Sequence, residues 1–275
     1  MRPTSPVAPP PTVLESVAPS DGVLRFFEGH VGPHCALSNQ NVGSSTWRFV
    51  LLACCRRGIA SERARGVTGW TFSSDVWSAE SAVMLCKAAI MLDLDTYRAL
   101  QGVRDPDEAK WLGRRVGRRC GKWDETKWVD SRGTVAQSVV DQKLTSDVGA
   151  TAVLLGTGEL ILAETNPNDK VWGVGMSAKD PRVGTPSSWP VGTQNLLGRC
   201  LMVARSRLRS SCRSARVTTS SGSRKSRLSA TAPEAYGSYY DGIDAEGSRT
   251  GTYLFVGRHF GVSVVRGRGL HDQAQ

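Results

Sequence analysis

The sequence predicts an α+β domain, mainly α-helical with a small β-sheet, over residues 23–208. Three observations lead there. Five separate stretches repeat their apolar residues at helical spacing, and two short apolar runs end in turn residues, as strands do. Both ends of the chain have a composition that cannot build a core.

Val23-Leu-Arg-Phe-Phe27 reads as the first strand, 29–33 as a turn, and Leu37-Ser38-Asn39 as loop. Residues 40–68 hold an apolar run, Phe49 to Cys55, inside Gly/Ser- and Arg-rich sequence with no clear period, and read as an insertion of uncertain structure. From Ala79 to Leu92 the pattern is helical, with Val83, Met84, Lys87, Ala88 and Met91 on one face. Asp105-Pro106-Asp107-Glu108 starts the next helix: Asp caps, Pro suits the first helical position, and Glu can close a capping box. Asp124 starts a third helix and Ser146 a fourth, while Glu159 to Glu164 is the second strand. Helical period returns from Asn195 to Leu208.

The flanks differ from this body. Residues 1–22 carry five prolines in the first eleven positions and lack the apolar stretch of a signal peptide, so they read as a disordered leader. Residues 209–275 read as a disordered, basic, Ser/Arg-rich tail, with 253–265 able to form a lone hairpin. No apolar run reaches the roughly 18 residues that span a bilayer. A cytoplasmic or nuclear protein without membrane contact is expected.

The net charge of +10 is unevenly spread. Residues 40–68 have five arginines against one acid, and 206–275 have eleven basic residues against five acids. The rest is near neutral, so a nucleic-acid-associated role would belong to the loose basic segments. The seven cysteines and four histidines show no metal-ligand spacing, so no metal and no cofactor are expected, and the thiols read as reduced and mostly buried. GxGxxG after a strand, GxxxxGK[ST], GxSxG and HExxH are all missing.

Two constellations could carry chemistry. Glu80 and Lys87 lie seven residues apart, about 20° around a helix and roughly 10 Å along it. By spacing alone they are an ordinary surface pair. In a shared, partly desolvated cleft they would become a proton donor and a nucleophilic amine. Glu164-Thr-Asn-Pro-Asn-Asp169-Lys-Val-Trp172-Gly173-Val-Gly175 sets acids and amides before a flat ring and two glycines, as a ligand loop or a tight turn with a core tryptophan would.

The order of these pieces resembles the NADAR (YbiA-like) domain family. The matching residues are Phe26-Phe27, Gly29 and Leu37-Ser38-Asn39; Glu80 and Lys87; Gly113-Arg114 and Trp128. They continue as Leu154-Leu155-Gly-Thr157-Gly158, Asp169-Lys-Val-Trp172-Gly173-Val-Gly175, and Asn195-Leu-Leu-Gly198 with Leu201-Met202 and Arg205. The resemblance implies a single YbiA-like domain that hydrolyses an N-glycosidic bond. Its substrate would be an ADP-ribose-like or riboflavin-precursor nucleotide, or ADP-ribosyl-guanine in nucleic acid. It implies Glu80, Lys87 and Asp169 as catalytic groups, with Lys87 attacking the anomeric carbon through an imine. Trp128 and Trp172 would stack on base or ribose. Asn39, Arg114 and Asn195 would hold polar or phosphate groups, with room from Gly173 and Gly175. Two departures stand out: Ser81 replaces the family's His, and 40–68 is longer than the family expects. An impaired enzyme that binds ADP-ribose without turnover is the alternative.

Overall fold

The computed structural model describes residues 22–27, 32, 34–220, 238–243, 249–257 and 261–268. Helix α2, Ala79–Ile90, runs through the middle, and every residue in it except Lys87 is buried. An almost wholly apolar helix of this length has no solvent face to offer, so neighbours must cover it on all sides. Those neighbours are α1 (Ala53–Ala64), α3 (Leu94–Leu100), α4 (Pro106–Gly113) and the long α5 (Glu125–Ser146).

Capping fixes where the helices begin. Ser78 accepts from the Ser81 N–H to start α2, and Asp93, Asp105 and Asp124 cap α3, α4 and α5. A cap of this kind contributes about 1 kcal/mol. Helix α6, Val148–Gly156, is capped by Asp147, one residue after the expected Ser146. Asp147 sits where its carboxylate reaches the Ala150 N–H at 2.9 Å. Helix α4 ends at Gly113, short of the expected stripe through Val116, and 114–121 forms turns. Helix α3 has no counterpart among the elements expected from the sequence.

The strands make two separate pairs in the body, where one small sheet was expected. β1 (Val23–Phe26) lies parallel to β4 (Ile161–Glu164), Val23 opposite Ile161 and Phe26 opposite Glu164. β2 (Trp47–Val50) lies antiparallel to β3 (Ser73–Val76). Helix α7, Leu196–Ser220, packs on β4 and α5. Three apolar clusters result. One surrounds α2, a second joins β1, β4, α6, α7 and the far face of α5, and a small third one joins Val23 and Ala163 to Val174, Met176 and Val183. Trp172 packs against the first two.

Residues 40–68 are part of this architecture. Phe49, Leu51, Cys55 and Ile59 are buried in the α2 cluster, with Trp47 packed beside them. Their period is hidden because a four-residue strand is followed after two residues by a helix, each showing one inward face. Among the described residues there is no disulfide; Cys55, Cys86 and Cys200 are buried, whereas Cys54 and Cys120 are exposed. No described helix is long and apolar enough to cross a membrane.

The leader lies outside the described residues, apart from Gly22. In the tail, 221–237, 244–248, 258–260 and 269–275 lie outside them too. The described tail elements are the end of α7 and an antiparallel three-stranded sheet, β5 (Ser238–Ile243), β6 (Arg249–Gly257) and β7 (Gly261–Arg268). Tyr253 pairs with Val265 there.

Since Phe49 is fully buried against α2, Phe49→Ala should destabilise the folded body by about 3–5 kcal/mol in urea titrations. A loss below about 1 kcal/mol would mean that 40–68 is a dispensable surface loop.

Candidate active site

Glu80 is in the first turn of α2, where the helix dipole favours a carboxylate. Its backbone N–H donates to the Asn39 carbonyl at 2.9 Å, which fastens the 35–39 loop to the start of the helix. A buried lysine on α5 holds that loop from the other side. Lys143 Nζ donates to the carbonyls of Ala36 and Ser38, 2.7 Å each. Burial pushes its pKa down to about 8, against smaller opposing contributions from Asp147 and Cys35. Two carbonyls in good geometry make its burial tolerable.

Two turns further along α2, Lys87 donates from Nζ to the Gly113 carbonyl at 2.9 Å. The Trp123 and Trp128 rings lie 4.8 and 5.4 Å from the same nitrogen. Burial lowers its pKa, as does the charge of Arg118, while Glu125 and Glu80 act the other way and Arg114 adds slightly to the lowering. Desolvation moves it in the direction a nucleophilic amine needs.

The loop after β4 supplies the opposite wall. Asp169 Oδ1 accepts from the N–H groups of Val171 and Trp172, both at 2.8 Å, and the Asp169 carbonyl accepts from Gly175. One carboxylate oxygen therefore shapes the turn that presents Trp172. At Gly173 a Cβ would collide with the Glu164 side chain and lie 2.6 Å from its carbonyl. Only glycine lets the loop fold back over Glu164. Asn195, at φ 44°, is buried and bridges β4: Nδ2 donates to Leu162 at 2.7 Å, and Oδ1 accepts from the Glu164 N–H at 3.2 Å.

Six of the expected residues converge on one cleft: Asn39, Glu80, Lys87, Arg114, Asp169 and Trp172. Four do not line it. Trp128 faces Lys87 from α5, Gly173 packs on Glu164, Gly175 turns the loop over Lys170, and Asn195 is tied to β4. These four shape the site instead of touching its contents.

Several lining residues stand outside the set expected from the sequence, chief among them Glu164, 6% exposed, and Lys110 at the mouth beside Arg114. Glu164 heads the acid- and amide-rich loop in the sequence, but it is also the last residue of a strand and receives no role of its own there. Its place in the same cleft lining as Glu80, which is 8% exposed, depends on the β1–β4 pairing. Trp123 gives no signal because it precedes α5 in a loop.

The departures from the family pattern fall elsewhere. Ser81 turns inward, its hydroxyl 3.1 Å from Ser78 Oγ at the helix cap, and it does not line the cleft. Of residues 40–68 only the first, Gln40, lines it. No group of three or more metal-ligating side chains occurs among the described residues.

The cleft encloses about 120 Å³. Clefts that enclose a whole drug-sized ligand hold roughly 300–1,000 Å³, so this one has room for only part of a ligand of that size.

The group at Lys143 has a pH signature. The unfolded chain keeps an ordinary lysine value, so between about pH 8 and 10 it binds more protons than the folded chain. This group should therefore make stability rise over that window. Urea titrations should find the rise in the wild type and lose it in Lys143→Met; an identical slope in both would remove the assignment.

Comparison with known proteins follows the same residues. N-glycosidase R617 of Acanthamoeba polyphaga mimivirus is 29% identical over 128 residues, 46% of this chain and 72% of that protein. Protein irg-1 of Caenorhabditis elegans is 26% identical over 129 residues, 47% of this chain and 59% of its own length, so the chain spans less than two thirds of it. The NMR structure of the Escherichia coli protein YbiA aligns over 74% of this chain and 90% of its own, with a TM-score of 0.44 and 17% identity. Residues 60–209, which carry Glu80, Lys87, Arg114, Glu164, Asp169 and Trp172, match the NADAR domain model. The chain belongs to the NADAR domain family.

Proposed function

We propose that this chain is an N-glycosidase that hydrolyses the bond between a base and ribose in an ADP-ribose-like or riboflavin-precursor nucleotide, including ADP-ribosyl-guanine. The observation that carries the reading is the convergence of Glu80, Lys87, Asp169 and Trp172, from α2 and the loop after β4, on one cleft with Arg114 at its mouth. The family, and the mimivirus relative named an N-glycosidase, support a glycosidase-type hydrolase.

Each part of the cleft suits a part of the reaction. Trp172 offers a face for the base or the ribose. Lys110 and Arg114 suit phosphate groups at the mouth. Glu80 protonates the departing base as the C1′–N bond breaks, and Glu164 in the same lining stabilises the positive charge that grows on the ribose. Lys87, in its neutral form, attacks C1′ to give a glycosylamine, which loses a proton from nitrogen and opens the C1′–O4′ bond to leave an imine; water then adds to the imine, releasing the ribose part and restoring the amine. Asp169 acts mainly through the loop it holds, since one of its oxygens is committed to two backbone N–H groups. No cofactor enters this scheme. The partner is a small nucleotide or a nucleotide carried in nucleic acid, in a cytoplasmic or nuclear setting.

The test is release of free base from ADP-ribosylated guanosine, NAD and riboflavin-pathway N-glycosides by the purified chain. At least one should be cleaved, and Glu80→Gln should slow it by about 10²–10⁴-fold. Lys87→Arg, which keeps the charge, should also lose turnover. The wild-type rate should rise with pH below the range of an ordinary lysine, because the neutral amine is the reacting form and burial lowers its pKa. Calorimetric binding of ADP-ribose without product from any substrate, unchanged in Glu80→Gln, would instead establish a binding module.

A further inference from the structure

Residues 110–122 carry six cations in thirteen positions, Lys110, Arg114, Arg115, Arg118, Arg119 and Lys122, with no acid among them. The fold puts them beside the cleft. Lys110 and Arg114 line its mouth, and the chain then leaves α4 through turns in which Arg115, Arg118, Arg119 and Lys122 are all exposed. Among the described residues no carboxylate pairs with Arg114, Arg115, Arg118 or Arg119. Trp111 lies on the same stretch, 53% exposed, with the Arg115 guanidinium 4.2 Å from its ring centre. It is three residues from Arg114, on the adjoining part of the helix surface.

We propose that this rim is a docking surface for a single-stranded nucleic acid, and that it holds the strand while one nucleotide enters the cleft. The inference rests on reading the cleft as a nucleotide site and adds the partner of its rim. Charge complementarity supplies the attraction: a row of guanidinium groups without carboxylate partners, beside a small cleft, fits a phosphodiester chain running out of it. Trp111 separates a strand from other polyanions, because a large exposed ring held by an arginine gives a base something to stack on. On that reading the small cleft takes only part of a nucleotide, and the exposed guanidinium groups that follow Arg114 in sequence are available to the phosphates that continue from it. The uneven charge of the sequence points to 40–68 and the tail. The density at 110–122 is masked there by the acids on either side, Glu108 and Asp124.

Fluorescence anisotropy on the full chain, with a labelled unmodified oligothymidylate and an abasic strand of equal charge, tests this. Arg115→Gln with Arg119→Gln should weaken oligothymidylate binding about tenfold at low salt. The same pair should make the slope of log affinity against log salt shallower by about 1.4, because each phosphate no longer neutralised on a single strand accounts for about 0.7. Trp111→Ala should remove the wild type's preference for the strand with bases. Neutralising Arg224, Lys225 and Arg227 in the tail should matter less than the rim pair. The proposal is overturned if the tail changes abolish binding while the rim pair binds as the wild type does. It is equally overturned if the abasic strand or an oligoglutamate binds the wild type as tightly as oligothymidylate.

Cleavage of a free mononucleotide N-glycoside should be equal in the wild type and the Arg115/Arg119 pair. Intact cleavage with no rim effect on strand binding removes the docking surface alone. Rim-dependent strand binding with no cleavage of any substrate removes the glycosidase reading alone.

Discussion

Helix α2 is buried along its length except at Lys87, yet it carries both Glu80 and that lysine. Most of the site can be understood as provision for those two groups. A charge inside an apolar helix cluster needs specific partners or access to a cleft, since leaving it bare in low dielectric costs several kcal/mol. The helix dipole helps at both ends, because the acid sits in the first turn and the lysine toward the last. The remainder comes from outside the helix. Gly113 lets α4 come close enough for its carbonyl to meet Lys87, and Trp123 and Trp128 turn ring faces to the ammonium. A cleft opens where α4, the 35–39 loop and the β4 loop fail to close over α2, and both charged side chains reach it.

The same constraint explains why Asn39 and Lys143 belong to the site although neither carries obvious chemistry. The Asn39 carbonyl takes up the Glu80 N–H, one of the donors that a helix start leaves without an intrahelical partner. The loop bearing Asn39 has little regular structure of its own, and Lys143 supplies the anchor by reaching two of its carbonyls from α5. Tying α5, the loop and α2 together in this way fixes one wall of the cleft with hydrogen bonds from a single side chain.

What the sequence reveals follows from which signals are local. Helix starts are legible because a cap acts over three residues: Asp105 and Asp124 are where they were expected, and the Ser146 expectation misses by one. The strand at Glu164 is legible as a short apolar run, and Glu80 with Lys87 as a helical face. The full burial of α2 is not, since a helix covered by several partners looks amphipathic when read from the few residues whose period is visible. Glu164 and Trp123 become site residues only through pairings made across the chain, β1 with β4 and α2 with α5. Residues 40–68 are obscured by their arginines, which line the outer face of elements whose inner face is core.

The family-like motifs also divide into those that meet the cleft and those that build it. Asn195 and Gly198 act as one joint: a Cβ at residue 198 would strike the Leu162 carbonyl and crowd the Asn195 amide, so α7 can start against β4 only with glycine there. Arg205, further along α7, is buried and donates to Thr157 Oγ1 at 2.6 Å and to the Leu160 carbonyl at 2.9 Å, closing the turn before β4. Gly173 then allows the loop to fold over Glu164. Three motifs far apart in sequence thus serve a single strand end. Their common effect is to fix Glu164 and Trp172 in the lining of the cleft. The proposed reaction would need that rigidity, because a shift of an ångström at the reacting carbon costs orders of magnitude in rate.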